Sequence, residues 1–244
     1  MNNIPEGKPF NLEDIFASLP TETEVIVDLP SKGRFYQSNK ITLRPMTFED
    51  EKAMVMAKKD KVDIINTILH RCVHGVHVQD LLLMDKLFLL LKLREISYGD
   101  NYSSIANCGK CSHENTLNFK LSDLPINYIE DDVQDLREIT LPISKAKLVV
   151  RIPRVSDEKY LQDELKVFDN IWRFIVSIQG IEDPVLISKF IKDPRLPLKD
   201  IHALSNAISL TDYGIQTKVR FDCDSCDFVN IISLPLGADF FTVS

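Results

Sequence analysis

The sequence predicts an α+β protein, mainly helical, with short β-hairpins and a zinc ribbon whose four cysteines are split between two distant hairpins. Three observations support this fold class. Apolar residues recur every three or four positions in several segments, as in amphipathic helices. Shorter segments alternate between apolar and polar residues, as in half-buried strands. Two Cys-x-x-Cys pairs, Cys108 with Cys111 and Cys223 with Cys226, lie between such alternating segments.

Length and composition exclude several classes of protein. The chain has 244 residues, of which 44% are hydrophobic and 27% charged, and its formal net charge is −7. The longest apolar runs have five residues, such as 87–91, whereas a membrane span needs about 20. No signal peptide is expected, because no apolar stretch with a cleavage site follows the N-terminus. The acidic excess argues against a broad phosphate-binding face.

The first half begins with a mixed, polar arm and continues into a small sheet and three helices. Two strands and the turn that joins them are predicted over 25–27, 29–33 and 41–43. The turn contains proline, which fixes φ, and glycine, which permits positive φ. Helices are predicted over about 48–58, 61–73 and 78–97. Thr47 is expected to cap the first of them, and the third is apolar nearly all round, which is typical of a buried central helix.

The two cysteine pairs predict a structural zinc site with Cys108, Cys111, Cys223 and Cys226 as ligands. Four thiolates around one Zn²⁺ make a closed tetrahedral site, and a two-residue gap lets both sulfurs of a pair reach one ion. The pairs are 111 residues apart, far more than in common zinc ribbons. A redox role like that of thioredoxin is the first alternative, and free thiols or a lost metal site are the second. Cys72 is predicted to be a small side chain in the apolar core.

The second half repeats the mixture of strands and helices. Strands are predicted over 139–141 and 148–152, joined by a turn. Five apolar residues then follow one another at spacings of four, three, four and three positions, which predicts an amphipathic helix that ends near Gly180. These residues are Leu161, Leu165, Phe168, Trp172 and Ile175. A helix that opens at Asp183-Pro184 and another over about 198–210 precede the second cysteine hairpin.

The order of elements suggests an internal pseudo-duplication, with chance resemblance as the competing interpretation. Arg44 precedes an Asp-Glu-Lys triplet by six positions, and Arg151 does the same. Each half also ends in a Cys-x-x-Cys hairpin. We therefore divide the chain into an arm, two α+β halves and a tail, over 1–24, 25–122, 123–236 and 237–244. Zinc would then lie between the two halves.

The sequence contains none of the common catalytic signatures. Phosphate-binding glycine loops, the His-Glu-x-x-His zinc motif and the Gly-x-Ser-x-Gly nucleophile motif are all missing. His70, His74 and His77 would share a face of a continuous helix, but Gly75 predicts that the helix ends there. We therefore expect a protein that is not an enzyme. Nucleic-acid binding is not expected either, because three aspartates surround the second cysteine pair.

Two stretches resemble a known family. The first is Leu-Pro-Ser-Lys-Gly-Arg-Phe-Tyr over 29–36, followed by Ile-Thr-Leu-Arg-Pro-Met-Thr over 41–47. The second runs from Leu90 to Asp100 and into the first cysteine pair. Together they are similar to T4-type bacteriophage baseplate proteins that are tied to assembly of the central tail hub. The resemblance covers about residues 25–125.

That resemblance implies a non-enzymatic phage tail protein, either a hub component or a hub assembly factor. Its partners would be other baseplate hub proteins, with no nucleic acid and no membrane span. It would act in the host cytoplasm during assembly, and as a hub component, but not as an assembly factor, it would also remain in the virion tail baseplate. The alternative function is a zinc-ribbon adaptor that binds transcription machinery or nucleic acid. The resemblance does not fix the oligomeric state.

One segment is a candidate contact with a partner protein. Docking is the expected mechanism, and Leu29, Lys32, Arg34 and Tyr36 lie in an apolar and basic turn that suits it. The competing interpretation is that this turn merely closes a hairpin.

Overall fold

The computed structural model describes residues 12–18, 24–37, 40–59, 63–209, 213–234, 236 and 238–241. Up to residue 127 the chain has the helices α1 (Leu12–Ser18), α2 (Phe48–Lys59), α3 (Ile64–Cys72) and α4 (Leu83–Tyr98). Its strands there are β1 (Val25–Ile26), β2 (Thr42–Leu43), β3 (Val73–His74), β4 (Asn101–Asn107), β5 (Glu114–Lys120) and β6 (Ile126–Asn127). Most of the predicted arm lies outside the described residues.

The second half has the strands β7 (Leu136–Thr140), β8 (Lys147–Arg151), β9 (Ile175–Ile178), β10 (Gly214–Ile215), β11 (Lys218–Asp222) and β12 (Val229–Ser233). Its helices are α5 (Glu164–Asn170), α6 (Pro184–Ile191) and α7 (Leu198–Ile208). Short 3₁₀ turns cover Val78–Asp80, Leu121–Asp123, Val155–Tyr160, Ile171–Phe174 and Ala238–Phe241. Helices and small sheets therefore alternate throughout, and the predicted α+β class is confirmed.

Each half contains a three-stranded antiparallel sheet, in the orders β1-β2-β3 and β7-β8-β9. Leu43 pairs with Val73 in the first sheet and Val150 pairs with Ile175 in the second, where the register shifts between Val149 and Val150. The hairpins β4-β5 and β11-β12 are separate two-stranded sheets, and β6 pairs with β10 inside the second half. The predicted strands at 25–27, 41–43, 139–141 and 148–152 are confirmed with small changes at their ends.

Two apolar cores hold these elements together. The first surrounds α4, whose Phe88, Leu89 and Leu91 are buried, so the predicted central helix is confirmed. Phe240, near the C-terminus, also packs into this core. The second core lies between the β7-β8-β9 sheet and the helices α6 and α7, around Phe174. Burial of apolar side chains supplies most of the stabilising free energy in such cores.

The long helix predicted from Leu161 to Gly180 is wrong. The chain forms the helix α5, then a 3₁₀ turn, and then the strand β9. Ile175 and Ile178 are buried in β9 next to β8, and β-branched residues suit a strand that packs in this way. Leu165 and Phe168, which lie on α5, are 77% and 49% exposed, so the regular apolar spacing did not mark one buried helix face.

The helix predicted over 78–97 begins later than expected, at Leu83. Leu82 has φ −66° and ψ 147°, an extended conformation, and it is fully buried. The apolar run therefore starts in extended backbone and enters the helix only at its third leucine. The helix predicted over 198–210 spans Leu198–Ile208, and position 210 lies outside the described residues.

A buried arginine–aspartate pair follows the second strand of each sheet. Arg44 donates two hydrogen bonds to Asp50, at 2.7 and 3.1 Å, and Arg151 donates two to Asp157, at 2.7 and 2.8 Å. Both carboxylates also accept the backbone N–H of the residue three positions earlier. They therefore cap the helical turns that they begin, and the Thr47 hydroxyl donates to Asp50 rather than acting as the cap itself.

A second buried aspartate in each half holds the turn between the first two strands. Asp85 is the third residue of α4 and accepts the N–H of Ser31, and Asp200 is the third residue of α7 and accepts the N–H groups of Ile143 and Ser144. Both carboxylates are fully buried. The same helix position therefore fixes the same turn in both halves.

Candidate metal centre

The two predicted cysteine hairpins are present. Seven residue pairs align β4 with β5, and five align β11 with β12. In each hairpin the N–H of the first cysteine closes the turn, from Cys108 to the carbonyl of His113 and from Cys223 to the carbonyl of Phe228. The alternation predicted in the flanks is confirmed, and it places Leu117 and Phe221 in one small core between the hairpins.

The hairpin tips bring all four predicted cysteines together. Their sulfur atoms lie within 4.8 Å of one another. Cys108 Sγ is 3.8 Å from Cys226 Sγ, and Cys111 Sγ is 3.7 Å from Cys223 Sγ, so the shortest contacts cross between hairpins. Sulfurs about 2.3 Å from a tetrahedral zinc ion are separated by about 3.8 Å. These distances exclude disulfide bonds, which are about 2.05 Å long.

Backbone amides favour the thiolate form at this cluster. The N–H of Cys111 and the N–H of Lys110 face the sulfur of Cys108, and together they outweigh burial and lower the pKa of the Cys108 thiol to about 6. The Lys110 nitrogen lies 3.4 Å from that sulfur, and the Ser225 nitrogen lies 3.4 Å from the sulfur of Cys223. The Phe228 N–H also favours the thiolate of Cys226, but the neighbouring sulfurs raise the pKa of that thiol to about 12. The thiolate is the form that binds metal, so the first turn prepares Cys108 for a cation.

Two buried asparagines join the hairpins to each other. Asn115 accepts the N–H of Asp224 through its side-chain oxygen at 2.9 Å, and Asn230 accepts the N–H of Gly109 in the same way at 2.9 Å. The amide groups of both also donate to a backbone carbonyl two residues earlier, at 2.9 and 2.8 Å. These reciprocal bonds hold each cysteine turn against the opposite hairpin.

Sequence reasoning missed these asparagines, although a signal was present. Each lies four residues after the second cysteine of its pair, Asn115 after Cys111 and Asn230 after Cys226. An asparagine in an alternating strand is otherwise poorly suited to a sheet. Its repetition at the same offset was the observation that could have identified the pair.

The chemistry of the cluster fits Zn²⁺. Four cysteine sulfurs at tetrahedral spacing are the ligand set of a structural zinc site, which leaves no position for a substrate or a catalytic water. Cys108 and Cys223 are buried, and the asparagines and amides supply the surrounding hydrogen bonds that orient such ligands. Within the part of the chain that the structure describes, this cluster is the group of side chains placed to hold a metal ion.

A family model described as T4 bacteriophage base plate protein matches residues 21–242, nearly the whole chain. The chain belongs to this family. The resemblance predicted from the sequence is therefore confirmed, and the molecule is a structural protein of the phage tail baseplate. No curated protein and no solved structure matches it. Among the described residues of this baseplate protein, no helix combines the length and apolar character needed to cross a membrane.

The asparagine pair leads to a prediction about metal affinity. Replacing Asn115 or Asn230 with alanine is expected to weaken zinc binding about 10–100-fold, the usual effect of losing a group that orients the ligands. Competition with a zinc-chelating dye measures the change. Asn118→Ala is the matched control, because Asn118 lies on the exposed face of β5. Equal zinc affinity in the Asn115→Ala variant and this control would contradict the orienting role.

The four residues predicted to contact a partner lie in a turn that packs on the baseplate protein itself. Leu29 is buried in the first core. The Tyr36 hydroxyl donates to Asp85 at 2.5 Å and accepts the N–H of Leu82 at 2.9 Å. Arg34 donates to the backbone carbonyls of residues 130, 131 and 133, and Lys32 pairs with the side chain of residue 131.

These contacts within the chain are enough to account for the conformation of the turn, so no partner protein is needed to explain it. Lys32 has φ +56°, and the glycine that follows it has φ +66°, so the chain reverses here with two left-handed residues. Only Lys32 and Arg34 have exposed side chains. Contact with a partner through this segment stays a prediction, and it depends on those two cations.

The three histidines do not lie on one helix. His70 is in the last turn of α3, His74 is in β3, and His77 precedes the next 3₁₀ turn. Gly75 has φ +91°, and a Cβ there would lie 2.3 Å from the carbonyl oxygen of Lys40. The expected end of the helix is therefore confirmed.

Proposed function

We propose that this baseplate protein is a non-enzymatic component or assembly factor of the tail hub, and that it binds other hub proteins on a scaffold closed by one Zn²⁺. The observation that carries the proposal is the four-cysteine cluster, together with membership of the baseplate family. Cysteines 111 residues apart meet there, and each half supplies two of them. It would act in the host cytoplasm during assembly and in the tail baseplate.

A closed zinc site suits a scaffold rather than a reaction centre. Because all four positions around the ion are taken by sulfur, zinc would supply cross-linking and no Lewis acidity toward a substrate. The cross-link would restrain the two halves relative to each other, and a restrained surface loses less entropy when a partner binds. Docking on such a surface requires no catalytic residues.

We further propose that the two halves arose by internal duplication. Matching strand orders, matching arginine–aspartate pairs and matching turn-holding aspartates support it. The asparagines that join the hairpins add a fourth correspondence, since their bonds are reciprocal. Superposition of 25–122 on 135–236 tests the proposal. Halves that do not superpose over their sheets and hairpins would contradict it.

The hub role is tested in the phage that encodes the protein. A phage carrying Cys111→Ser is expected to produce few complete baseplates, because an exposed zinc ligand is lost while the apolar cores remain. Electron microscopy of lysates and pull-down of the phage's own hub proteins give the two readouts. Ser112→Gly is the control, since it keeps all four sulfurs and relieves a positive φ of 59°.

Normal baseplate yield and normal pull-down in the Cys111→Ser phage would contradict the scaffold proposal. Mass spectrometry of purified virions separates the two forms of the role. A hub component remains in the particle in fixed ratio to other baseplate proteins, whereas an assembly factor is absent. The Lys32→Ala/Arg34→Ala double variant tests the predicted contact segment, and an unchanged pull-down would exclude it.

A further inference from the structure

In the first half of the chain, a second arginine binds the buried aspartate. Arg71 donates its Nε–H to Asp50 at 2.6 Å, in addition to the two bonds from Arg44. Arg71 lies two residues before Val73, and Val73 pairs with Leu43, the residue directly before Arg44. This position next to the sheet therefore brings the side chain within reach of the carboxylate.

The second half has an arginine at the same position, but this arginine does not bind the buried aspartate. Arg173 lies two residues before Ile175, and Ile175 pairs with Val150, the residue directly before Arg151. Asp157 accepts from the Arg151 guanidinium and from one backbone N–H, and in the described part of the chain it accepts nothing from Arg173. The charge of Arg173 is thus not used by the buried ion pair.

Two aromatic rings hold Arg173 instead. Its guanidinium lies 4.4 Å from the ring centroids of both Tyr160 and Trp172. Its Nε–H donates to Asn170 at 2.9 Å, and its two terminal nitrogens have no acceptor among the described residues. Cation–π contacts fix a guanidinium without neutralising its charge. Since Arg173 is exposed, those two nitrogens are free to bind a ligand from solvent.

These groups line a cavity of about 460 Å³. A second cation of the cavity is Lys159, which is exposed and lies 5.0 Å from the Tyr160 ring, with no carboxylate partner among the described residues. Ile175 and Ile187 also line the cavity and are buried. The cavity therefore combines two free cations near solvent with an apolar inner wall.

The two carboxylates of the cavity limit which anion suits it. The charge of Asp157 is balanced by Arg151 at 2.7 Å. Glu182 is exposed, and it would repel a doubly charged phosphate more strongly than a singly charged carboxylate. A carboxylate also matches the planar guanidinium, because it can accept two parallel N–H bonds from one arginine. The charges therefore favour a carboxylate.

We propose that this cavity binds an acidic segment of a partner protein. Arg173 would bind one carboxylate of the segment through its two terminal nitrogens, and Lys159 would add a second positive charge. An apolar side chain next to that carboxylate would pack on Ile175 and Ile187. The partner origin of the segment rests on the docking function proposed above, and complementary charge of this kind gives such docking its specificity.

Nuclear magnetic resonance of the full-length, zinc-loaded chain tests the site. Trp172 is the only tryptophan, so one indole N–H signal reports on the cavity. The peptide acetyl-Glu-Leu-Glu-amide is expected to move that signal in a saturable way, and acetyl-Gln-Leu-Gln-amide is expected to leave it in place. Inorganic phosphate at equal concentration should move it less. An unmoved signal with the acidic peptide, or a stronger response to phosphate, would overturn the proposal.

Arg173→Gln is expected to weaken binding of the acidic peptide about tenfold or more, because charge-assisted hydrogen bonds are lost. Arg195→Gln is the matched control, since Arg195 is exposed and lies outside the cavity lining; it should bind like the wild type. Urea unfolding separates binding from folding. The midpoint of Arg173→Gln should match the wild type, whereas that of Arg71→Gln should fall. Equal peptide affinity in the two glutamine variants of Arg173 and Arg195 would contradict the site.

Pull-down of the phage's own hub proteins separates this proposal from the proposed function. The Lys159→Gln/Arg173→Gln variant is expected to capture several-fold less hub protein than the wild type. If the variant captures as much as the wild type, the hub role stands and the partner assignment of this cavity is wrong. If the wild type itself captures no hub protein, the proposed function fails, and the peptide titration alone decides whether the cavity binds acidic segments.

Discussion

Replacing Asp50 with alanine is expected to lower the free energy of unfolding by about 3–5 kcal/mol, the usual loss when one partner of a buried ion pair is removed. The Asp50 side chain is fully buried and accepts from Arg44, Arg71 and both the N–H and hydroxyl of Thr47. The variant leaves the Arg44 charge, which is 12% exposed, without its carboxylate. Urea unfolding measures the change.

The matched variant for comparison with Asp50→Ala is Asp157→Ala, in the second half. Asp157→Ala should cost less, because Arg151 is 30% exposed and, among the described residues, only the backbone of a second arginine, Arg154, is hydrogen-bonded to that carboxylate. Asp163→Ala, which removes a helix cap and an exposed ion pair with Lys166, should cost about 1 kcal/mol. If Asp50→Ala and Asp163→Ala lowered the free energy of unfolding equally, the large contribution that we assign to the buried Asp50 pair would be contradicted.

The same pair predicts the direction of a pH effect. Burial opposes ionisation of Asp50, but the hydrogen bonds from Arg44, Thr47 and Arg71 prevail and hold its pKa well below the usual range. A lowered pKa contributes stability above the ordinary carboxylate pKa of about 4, and that contribution fades as the pH falls further. The stability difference between wild type and Asp50→Ala should therefore be largest near neutral pH and shrink in acid.

The second large effect is expected from the metal centre. Cys108→Ser should abolish stoichiometric zinc binding and lower the free energy of unfolding by about 4 kcal/mol, as for the loss of a cross-link that closes a loop of about 100 residues. The hairpin tips should then become accessible to protease. Lys110→Ala in the same turn keeps all four sulfurs and should retain zinc and stability.

Fluorescence shows whether the variant merely fails to fold. Trp172 is the only tryptophan of the chain and packs against the second core, away from the hairpins. Its emission in Cys108→Ser should match the wild type in the absence of denaturant. A Cys108→Ser protein with wild-type stability would show that the cluster does not hold the halves together.

Much of the candidate metal site, but less of the fold, could be predicted from the sequence. Alternating apolar residues around each cysteine pair placed both hairpins correctly, because a strand with one buried face has a period of two. It could not show that Asn115 and Asn230 bond across the hairpins, since that contact joins positions more than 100 residues apart. The six-residue spacing of each arginine and aspartate could be seen in the sequence. The burial of the aspartates, which makes these ion pairs stabilising, could not.

The errors in the fold have one physical origin. Apolar periodicity alone shows neither which residues are buried nor which element holds them. The segment that ends at Ile175 was therefore predicted as a helix, although Leu165 in it is 77% exposed and Ile175 pairs with the strand β8 in a sheet. Leu82 was assigned to a helix for the same reason. Tertiary contacts decide such cases, and a single sequence does not show them.

The most direct test of the account is the zinc content of untagged protein purified without added metal, measured by elemental mass spectrometry. We expect one zinc per chain, bound to Cys108, Cys111, Cys223 and Cys226 and lost when either Cys108 or Cys223 is replaced with serine. A chain that contains no metal and has four freely reactive thiols would contradict the proposal that zinc closes the scaffold.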